Sequence, residues 1–174
     1  MLKIDGSHLE GGGQIVRSAV ALSAVTGIPV EITRIRAKRK QAGLRFQHCA
    51  AVRAVACACE GEVEGNEPGS DRLSFFPGTI RRSTCDVDVG TAGSIALVLQ
   101  SWLPVALVKG GTLEVTGGTE VPLSPTIDYI EKVLIPSLGL PEGAVLVTVT
   151  RRGYYPAGGG LVRVSADPQH PGPI

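Results

Sequence analysis

The pattern of hydrophobic and polar positions divides the chain into segments typical of helices and strands. Apolar residues dominate Gly13–Thr26, which is rich in Ala, Val and Leu and is followed by Gly27, a residue type that commonly ends helices. From Ile28 to Arg36 apolar and polar side chains roughly alternate, which predicts a strand. Arg45–Cys59 is predicted to form a second helix. The other predicted elements of this half are strands at Leu2–Asp5, Glu62–Glu64, Leu73–Phe76 and Cys85–Val89.

The second half of the chain repeats this order of elements. Gly93-Ser94-Ile95 opens a predicted helix to Val108, 80 positions after Gly13-Gln14-Ile15 opens the first one. The strand at Leu113–Thr116 follows its counterpart at Val30–Thr33 by 83 positions. A helix at Thr126–Leu138 and strands at Val145–Thr150 and Leu161–Ser165 complete the repeat. We therefore predict an α+β fold of repeated βαβαββ units, each a sheet layer covered by two helices, with residues 1–90 as the first unit and 91–174 as the second.

Composition limits the classes of protein to which the chain belongs. Its 174 residues are 43% hydrophobic with a net charge of +1, which excludes wholesale disorder and allows a sizeable core. Only 4% are aromatic, so that core must consist of Val, Ile, Leu and Ala. The longest apolar stretch, Ile95–Val108, is shorter than the roughly 18–20 residues that cross a bilayer, and the N-terminus lacks a secretory signal. We therefore expect a cytoplasmic protein without a membrane partner.

The four cysteines, Cys49, Cys57, Cys59 and Cys85, do not suggest a disulfide framework in a chain of this size. Cys57 and Cys59 resemble half of a metal site, but no second Cys or His pair follows at ligand spacing. Residues two apart on a helix also face different directions. We expect all four to be buried thiols.

A glycine-rich segment, Glu10-Gly11-Gly12-Gly13-Gln14, leads directly into the first predicted helix. Glycine lets a ligand approach the backbone, and the free N–H groups of a first helical turn attract anions. Arg17 lies one turn inside the helix, within reach of such an anion, and Glu10 is suited to a divalent metal that bridges phosphates. The alternative is a tight turn with an ordinary capping carboxylate, since the Lys-Ser/Thr of the Walker pattern is missing. Similar loops at residues 90–94, 116–119 and 157–160 favour a phosphate-rich ligand.

Positive charge is concentrated in one part of the chain. Seven of the 17 Lys and Arg residues lie between Arg34 and Arg53, and no Asp or Glu occurs between Ile32 and Cys59. A solvated surface loop is the usual interpretation of a short charge run, but the lack of a compensating acid favours binding of a polyanion such as a sugar-phosphate backbone. Phe46 is the only nearby aromatic residue. Stacking along a long single strand is therefore not supported, and contacts to phosphates and an RNA end fit better.

Gln47 and His48 stand at the start of the second predicted helix. His48 is a candidate acid, base or phosphate ligand, with a structural histidine as the alternative. His8 and His170 lie in loop or tail contexts, where we expect solvated surface. No Ser-His-Asp or Cys-His nucleophile arrangement follows from these few residues.

Several of these motifs occur together in an order known from one protein family. They are Glu10-Gly-Gly-Gly-Gln-Ile-Val-Arg17, Arg36-Ala-Lys-Arg39, Gly43-Leu-Arg-Phe-Gln47-His48, Phe76-Pro-Gly-Thr79, Gly93-Ser94, Leu97-Val-Leu-Gln100, Gly117-Gly-Thr119 and Arg152-Gly-Tyr-Tyr-Pro156-Ala-Gly-Gly-Gly160. Together they resemble the RNA 3′-terminal phosphate cyclases, and the last resembles the signature segment of that family. The resemblance covers nearly the whole chain and is far more specific than any single glycine loop.

The resemblance implies an enzyme that uses ATP, with Mg²⁺ or Mn²⁺, to convert the 3′-phosphate end of an RNA into a 2′,3′-cyclic phosphate. In this family a histidine is first adenylylated, AMP then passes to the RNA 3′-phosphate, and the vicinal 2′-OH displaces AMP. The residues implied to be catalytic are Glu10, Arg17, Arg39 and His48.

The resemblance also implies a role for each matching position. Glu10 resembles the metal-binding carboxylate, and Arg17 a residue that contacts the nucleotide phosphates. Gln100 resembles a nucleotide-contacting glutamine, and Pro125 a proline that packs on the adenine. The positions that correspond to active-site residues serving phosphate and RNA-end binding are Arg36, Arg39, Gln47 and His48.

The chain departs from the family pattern in its length. Members are about twice as long, with a further repeat, a small inserted domain and a final segment that carries the nucleophilic histidine, whereas this sequence ends at Ile174. None of His8, His48 and His170 matches the nucleophile's motif. We therefore expect that the chain alone is inactive and forms no covalent AMP adduct. An open sheet edge is expected to favour a homodimer or a complementary C-terminal chain.

Two other functions stay open. One is a non-catalytic, cyclase-like protein of ribosome assembly, although such a protein has no chemical need for Glu10, Arg17 and Arg39. The other is a relative of the enolpyruvyl transferases, whose fold uses similar repeats with basic clefts for phosphorylated sugars. The segment Arg152–Gly160 and the pair Gln47-His48 discriminate against that relative.

Overall fold

The helices and strands follow one another in the same order in each half of the chain, in a computed structural model that describes residues 1–169. His170, expected at the surface, lies outside the described residues. The first half contains β1 (Leu2–Asp5), α1 (Gln14–Thr26), β2 (Val30–Thr33), α2 (Phe46–Cys59), β3 (Glu62–Glu64) and β4 (Leu73–Phe76). The second half contains β5 (Ser83–Asp88), α3 (Ile95–Lys109), β6 (Gly111–Gly117), α4 (Ile127–Tyr129), a π-helical turn (Ile130–Leu134), α5 (Ile135–Ser137), β7 (Val145–Arg151) and β8 (Gly160–Ala166).

The strands form two four-stranded sheets with the same topology. The first sheet has the order β1-β2-β4-β3 and the second the order β5-β6-β8-β7. In each sheet the first two strands are parallel and the remaining pairs are antiparallel, so both sheets are mixed. The predicted α+β fold of repeated βαβαββ units is confirmed. The predicted division after residue 90 includes β5 in the first unit, whereas strand pairing places β5 beside β6 in the second sheet.

Short local signals set the ends of the helices. Gly27 follows α1 in the left-handed conformation, where its N–H donates to the carbonyl of Ser23. The hydroxyl of Ser94 caps α3 by accepting a hydrogen bond from the N–H of Leu97. Gly13 precedes α1 and has no side chain that could cap it. The N–H of Gln14, the first residue of α1, has no acceptor among residues 1–169, whereas that of Ile15 donates to the carbonyl of Gly12 at 3.4 Å.

The core joins the two repeats through their helices. α3 contacts both α1 and α2, and α2 also contacts β5 of the second sheet. Most of the buried side chains are Ala, Val, Ile and Leu, as the composition predicts, with Trp102 and Phe75 as the largest fully buried ones. Because the repeats share this helical layer, the first turns of α1, α2 and α3 have fixed positions relative to one another.

α3 is the most apolar helix and is covered on most of its sides. It has 15 residues, among them Pro104, and most of them are buried. A helix that is apolar nearly all round belongs to an interior position. Across residues 1–169, no helix combines the length and the apolar character that crossing a membrane requires.

Cys57 and Cys85 form a disulfide bond that joins α2 to β5, across 28 positions of sequence. The expectation of four buried thiols is therefore wrong for this pair and is confirmed for Cys49 and Cys59, which are buried and free. The spacing of the cysteines in the sequence does not indicate this disulfide bond, because α2 of the first repeat packs on β5 of the second only in the folded chain. Residues 1–169 contain no group of three or more His, Cys, Asp or Glu side chains suited to a metal ion.

We expect the Cys57–Cys85 bond to stabilise the fold by about 3–4 kcal/mol, because it restricts the unfolded chain by closing a loop between the two positions. A variant with Cys57→Ala and Cys85→Ala should unfold at a lower urea concentration than the oxidised protein, measured by circular dichroism. Its midpoint should not respond to dithiothreitol. A variant with Cys49→Ala and Cys59→Ala keeps the bond and should respond as the wild type does. Equal midpoints for the oxidised and reduced wild type would contradict the prediction.

Candidate functional site

The glycine segment before α1 lines a cavity of about 490 Å³. The loop is held by its own backbone, since the N–H of Gly11 donates to the carbonyl of His8 at 2.8 Å. In the described part of the chain, the N–H groups of Gly12 and Gly13 have no acceptor. Three of the predicted site residues meet in this cavity, namely Glu10, Arg17 and Arg39.

Arg17 is a buried charge without a counter-charge. Only 7% of the residue is exposed, and its Nη2 donates to Oε1 of Gln14 at 2.7 Å while its Nε has no partner. Burial lowers the pKa of this guanidinium to about 10, so it stays protonated at neutral pH. Among residues 1–169 no carboxylate lies within 4 Å of it. An anion in the cavity would compensate this otherwise costly burial.

Glu10 and Arg39 form an ion pair across the glycine loop. Nη2 of Arg39 lies 3.2 Å from Oε2 of Glu10, and the Glu10 side chain is 89% exposed. A Cβ on Gly12 would lie 3.5 Å from the same Nη2, so the guanidinium extends over the loop backbone. An exposed pair of this kind is weak and exchanges partners easily. A single exposed carboxylate also suits Mg²⁺, which commonly takes its other ligands from phosphate and water oxygens.

The basic segment between β2 and α2 folds back onto the glycine loop. Nζ of Lys38 donates to the carbonyl of Leu9 at 3.0 Å, and Nε of Arg34 donates to Oδ1 of Asp5 at 3.1 Å. The acids missing from the segment itself are therefore supplied by Asp5 and by Glu10, 29 positions before their partners. Hydrogen bonds from Ser7, with that from Arg34, lower the pKa of Asp5 to about 2.

Arg36 shapes the basic segment from within. Its Nη1 donates to the carbonyls of Gln41 and Gly43 at 2.8 and 2.9 Å. Arg34 and Arg36 both have a positive φ, 54° and 53°, a conformation that costs energy in residues other than glycine. The contacts of Arg36 therefore stabilise a strained turn, and this guanidinium does not line the glycine-loop cavity. Its expected contact with phosphate or RNA stays a prediction.

His48 lies beneath the glycine loop, at the first turn of α2. It is 2% exposed; its Nδ1 accepts the N–H of Arg45 at 2.9 Å, and a Cβ on Gly13 would overlap its Nε2. Burial, together with the nearby Arg17, Arg36 and Arg45, lowers its pKa to about 3. Because Nδ1 is an acceptor, the neutral ring carries its proton on Nε2. This geometry favours the structural histidine over a nucleophile or a general acid.

Gln47 contacts the start of α3 and does not line the glycine-loop cavity. Its Oε1 accepts the N–H of Ser94 at 3.1 Å, which ties α2 to the start of α3. Gln47 also lines a second cavity of about 400 Å³, on the other side of the same helical turn. The other residues of this wall are Arg45, Phe46, Thr91, Ala92, Gly93, Tyr155 and Pro156. Tyr155 was not among the residues expected from the sequence, although it stands in the signature segment.

Gln100 lines a third, mostly apolar cavity of about 390 Å³ between α1, α3 and the π-helical turn. Its Oε1 is buried without a hydrogen-bond partner, which leaves an acceptor for a ligand. Gln14 lines both this cavity and the glycine-loop cavity, so the two adjoin. Gln14 was not among the site residues expected from the sequence. Its position at the end of the glycine segment could have indicated it. Pro125 lies half-buried between β6 and α4 and does not line this cavity.

The signature segment is anchored by ion pairs and backbone contacts. Arg152 pairs with Glu120 and Asp128, and the N–H of Gly153 donates to Oγ1 of Thr119 at 2.9 Å. The hydrogen bond from Arg152 holds the pKa of Asp128 well below its usual range. The segment therefore has a fixed position against the loop that follows β6.

Comparison with known proteins agrees with this arrangement. The sequence model of the family described as RNA 3′-terminal phosphate cyclase matches residues 8–174. The chain belongs to the RNA 3′-terminal phosphate cyclase family. The resemblance inferred from the motifs is thus confirmed, and membership decides against a relative of the enolpyruvyl transferases. All three cavities lie within the part of the chain that the family model covers.

Relatives in the family carry the same name. The RNA 3′-terminal phosphate cyclase of Caldivirga maquilingensis is 50% identical over 171 residues, which cover 97% of this chain and 48% of the relative. That of Ignicoccus hospitalis is 49% identical over 170 residues, with coverage of 97% and 48%. That of Methanococcoides burtonii is 45% identical over 172 residues, with coverage of 98% and 52%. The chain spans about half the length of the curated relatives it matches.

The buried His48 should make the fold sensitive to mild acid. Its folded pKa of about 3 lies below the usual 6.5, so its contribution to stability is complete above pH 6.5 and is lost as the pH falls toward 3. Below pH 6.5 we expect the free energy of unfolding to fall by about 1.4 kcal/mol per pH unit. Urea unfolding between pH 7.5 and 5 measures this dependence. The pKa of Asp5, lowered from 3.8 to about 2, affects stability only at lower pH.

Two variants separate the contribution of His48 from the general effect of acid. His48→Gln keeps an acceptor for the N–H of Arg45 and should flatten the dependence between pH 7.5 and 5. His8→Gln changes an exposed residue of the glycine-loop cavity and should leave it as in the wild type. An unchanged slope in His48→Gln would contradict the prediction.

Proposed function

We propose that this chain forms the phosphate- and RNA-end-binding half of an ATP-dependent RNA 3′-phosphate cyclase. Membership of the family and relatives that carry this name support the class of enzyme. The single observation that carries the proposal for these residues is the buried, unpaired Arg17 beside the open N–H groups of Gly12 and Gly13. A cationic cavity with free amide donors suits the phosphates of a nucleotide.

The proposed reaction consists of transfers at phosphorus. AMP joins an enzyme histidine as pyrophosphate leaves ATP, and the RNA 3′-phosphate oxygen then takes the AMP as the histidine–phosphorus bond breaks. Finally the 2′-oxygen attacks the 3′-phosphorus, AMP leaves with the bonding electrons, and the 2′-OH proton passes to solvent. Negative charge gathers at phosphate oxygens in each step. The cations of this chain therefore bind and orient the phosphates and stabilise that charge.

The geometry supports a division of labour in the glycine-loop cavity. Arg17 and the N–H groups of Gly12 and Gly13 would hold the nucleotide phosphates, and Arg39 would hold the RNA 3′-phosphate. Glu10 would hold Mg²⁺ or Mn²⁺, which supplies charge neutralisation between the phosphates. Because the Glu10–Arg39 pair is exposed and weak, binding of the metal would release Arg39 for the RNA end.

The adjoining apolar cavity suits the adenine of ATP. Its polar groups include Gln14 and Gln100, and the unpartnered Oε1 of Gln100 is an acceptor for the exocyclic amino group. Gln14 contacts Arg17 and lines both cavities, so a single nucleotide would span them. Pro125 is assigned to adenine packing by the resemblance alone. We further propose that the open edges of the sheets accept a second copy or a complementary C-terminal chain.

Arg17→Met should weaken binding of ATP with Mg²⁺ by about 10- to 100-fold, because charge-assisted hydrogen bonds to phosphate are lost. The same variant should be at least as stable as the wild type, since it removes an unpaired buried charge. Isothermal titration calorimetry and urea unfolding measure the two effects. Arg39→Ala should weaken binding of a 3′-phosphate RNA and leave binding of the 3′-OH RNA unchanged.

Arg163→Ala is the matched control, because Arg163 is exposed on β8 and lines neither cavity. It should bind ATP and RNA as the wild type does. Wild-type affinity for ATP in Arg17→Met would overturn the assignment of Arg17. A wild type that binds RNA but no ATP would favour the non-catalytic, cyclase-like protein instead.

We also propose that His48 is not the nucleophile and that the chain alone forms no AMP adduct. The Nδ1 of His48 accepts a backbone hydrogen bond and its Nε2 lies against Gly13, so neither nitrogen is free to attack phosphorus. Incubation with α-³²P-labelled ATP and Mg²⁺ should give no labelled band at 18.1 kDa. A band that disappears in His48→Gln would contradict the role given to His48, and any labelled band would contradict the inactivity of the chain.

A further inference from the structure

The signature segment presents an exposed tyrosine on a rigid base. The N–H of Gly158 donates to the carbonyl of Tyr154 at 2.7 Å, and Nε of Arg151 donates to the carbonyl of Gly159 at 2.7 Å. A Cβ on Gly158 would lie 2.8 Å from Cα of Ala92, so the segment packs directly on the loop before α3. Tyr155 is nevertheless 70% exposed. Its position is thus fixed by the backbone while its ring remains open to a ligand.

Phe46 and Tyr155 line the same cavity although they are 109 positions apart in the sequence. Phe46 is 47% exposed and stands at the first position of α2, next to Arg45. The cavity measures about 400 Å³, which falls within the roughly 300–1,000 Å³ of small-molecule sites. Two exposed aromatic rings in one cavity form a surface for a flat, apolar group.

Arg45 adds an unpaired positive charge to this cavity. Its side chain is exposed, and no carboxylate of residues 1–169 lies within 4 Å of its guanidinium. The neighbouring basic segment supplies further positive charge. Aromatic faces beside an unpaired guanidinium suit a nucleobase with its phosphate, because bases stack on aromatic rings and arginine binds phosphate.

The first turn of α2 contacts the glycine loop and also lines this cavity. His48 of that turn lies against Gly13, while Phe46 and Gln47 face the second cavity. A strand whose 3′-phosphate lies at the glycine loop can therefore place a preceding nucleotide on the other side of the turn.

We propose that this cavity binds one base near the 3′ end of a single-stranded RNA, stacked on Phe46 and Tyr155, with Arg45 contacting the adjacent phosphate. The inference rests on the proposed function, of which it names the RNA contact. It assigns a role to the signature segment: Tyr155 forms part of a base site. The site holds one base and does not extend along a strand, because the cavity contains two exposed aromatic side chains.

The test is fluorescence anisotropy with the 174-residue chain and a 5′-labelled RNA hexamer that ends in a 3′-phosphate. Phe46→Ala and Tyr155→Ala should each weaken binding about tenfold, as for a stacked base. Neither should change the affinity for a hexamer in which the nucleotides next to the 3′ end are abasic. Tyr155→Phe should bind as the wild type does, since the ring is kept. Tyr129→Ala, which removes an exposed tyrosine outside the cavity, should have no effect.

Two further measurements distinguish the source of the base and the role of the charge. Binding of ATP with Mg²⁺ should be unchanged in Phe46→Ala and Tyr155→Ala; a tenfold loss there would assign the cavity to the nucleotide and overturn the proposal. Arg45→Ala keeps the backbone N–H that His48 needs, and it should lower the slope of log affinity against log salt concentration by about 0.7.

The outcomes separate this inference from the proposed function. If the wild type binds the RNA and Arg39→Ala weakens it, but the aromatic variants bind normally, the base site is wrong and the proposed function stands. Equal losses with the normal and the abasic hexamers would also overturn the base site. If the wild type binds neither the RNA nor ATP, both are overturned. Circular dichroism of each variant confirms that the loss is not one of folding.

Discussion

The direct contact between the imidazole of His48 and the backbone of Gly13 determines the geometry of the whole site. No side chain larger than a hydrogen atom fits at Gly13, and the ring is fixed on its other side by the N–H of Arg45. The first turns of α1 and α2 are therefore held together without a flexible element between them. Gly13 lines the glycine-loop cavity, and Gln47, the neighbour of His48 in the chain, lines the second cavity, so this contact links the walls of the two.

The surroundings of Arg17 lower the stability of the isolated chain. α1 has neither a capping side chain nor an acidic residue in its first turn, and the guanidinium one turn further is buried without a carboxylate. Each feature is unfavourable for the isolated chain and favourable once an anion is bound. Local rules of protein stability are commonly broken in this way at functional sites. The exposed Glu10, paired only with Arg39, keeps the opposite charge at the edge of the cavity.

Periodicity and glycine placement predicted the repeated fold, and the grouping of Glu10, Arg17 and Arg39 followed from the loop and from the resemblance. Contacts made by tertiary packing left no local signal. The pairing of Asp5 with Arg34 links positions 29 apart, and the meeting of Phe46 with Tyr155 depends on how the signature segment packs on the loop before α3. The sequence does not distinguish the role of Arg36 from that of the neighbouring basic residues. Arg36 donates to the carbonyls of Gln41 and Gly43 only because the segment folds into a strained turn.

The Cys57–Cys85 bond gives the two repeats a second covalent connection beside the main chain. The segment between the two cysteines includes the largely exposed residues 65–72, where a protease finds accessible backbone. A cut there would open the chain but would not release either repeat. The two pieces would remain one molecule, each at a high effective concentration for the other. Cleavage of the peptide backbone in this segment would therefore leave the site at the junction of the helices intact. Without the disulfide bond, the two pieces could dissociate.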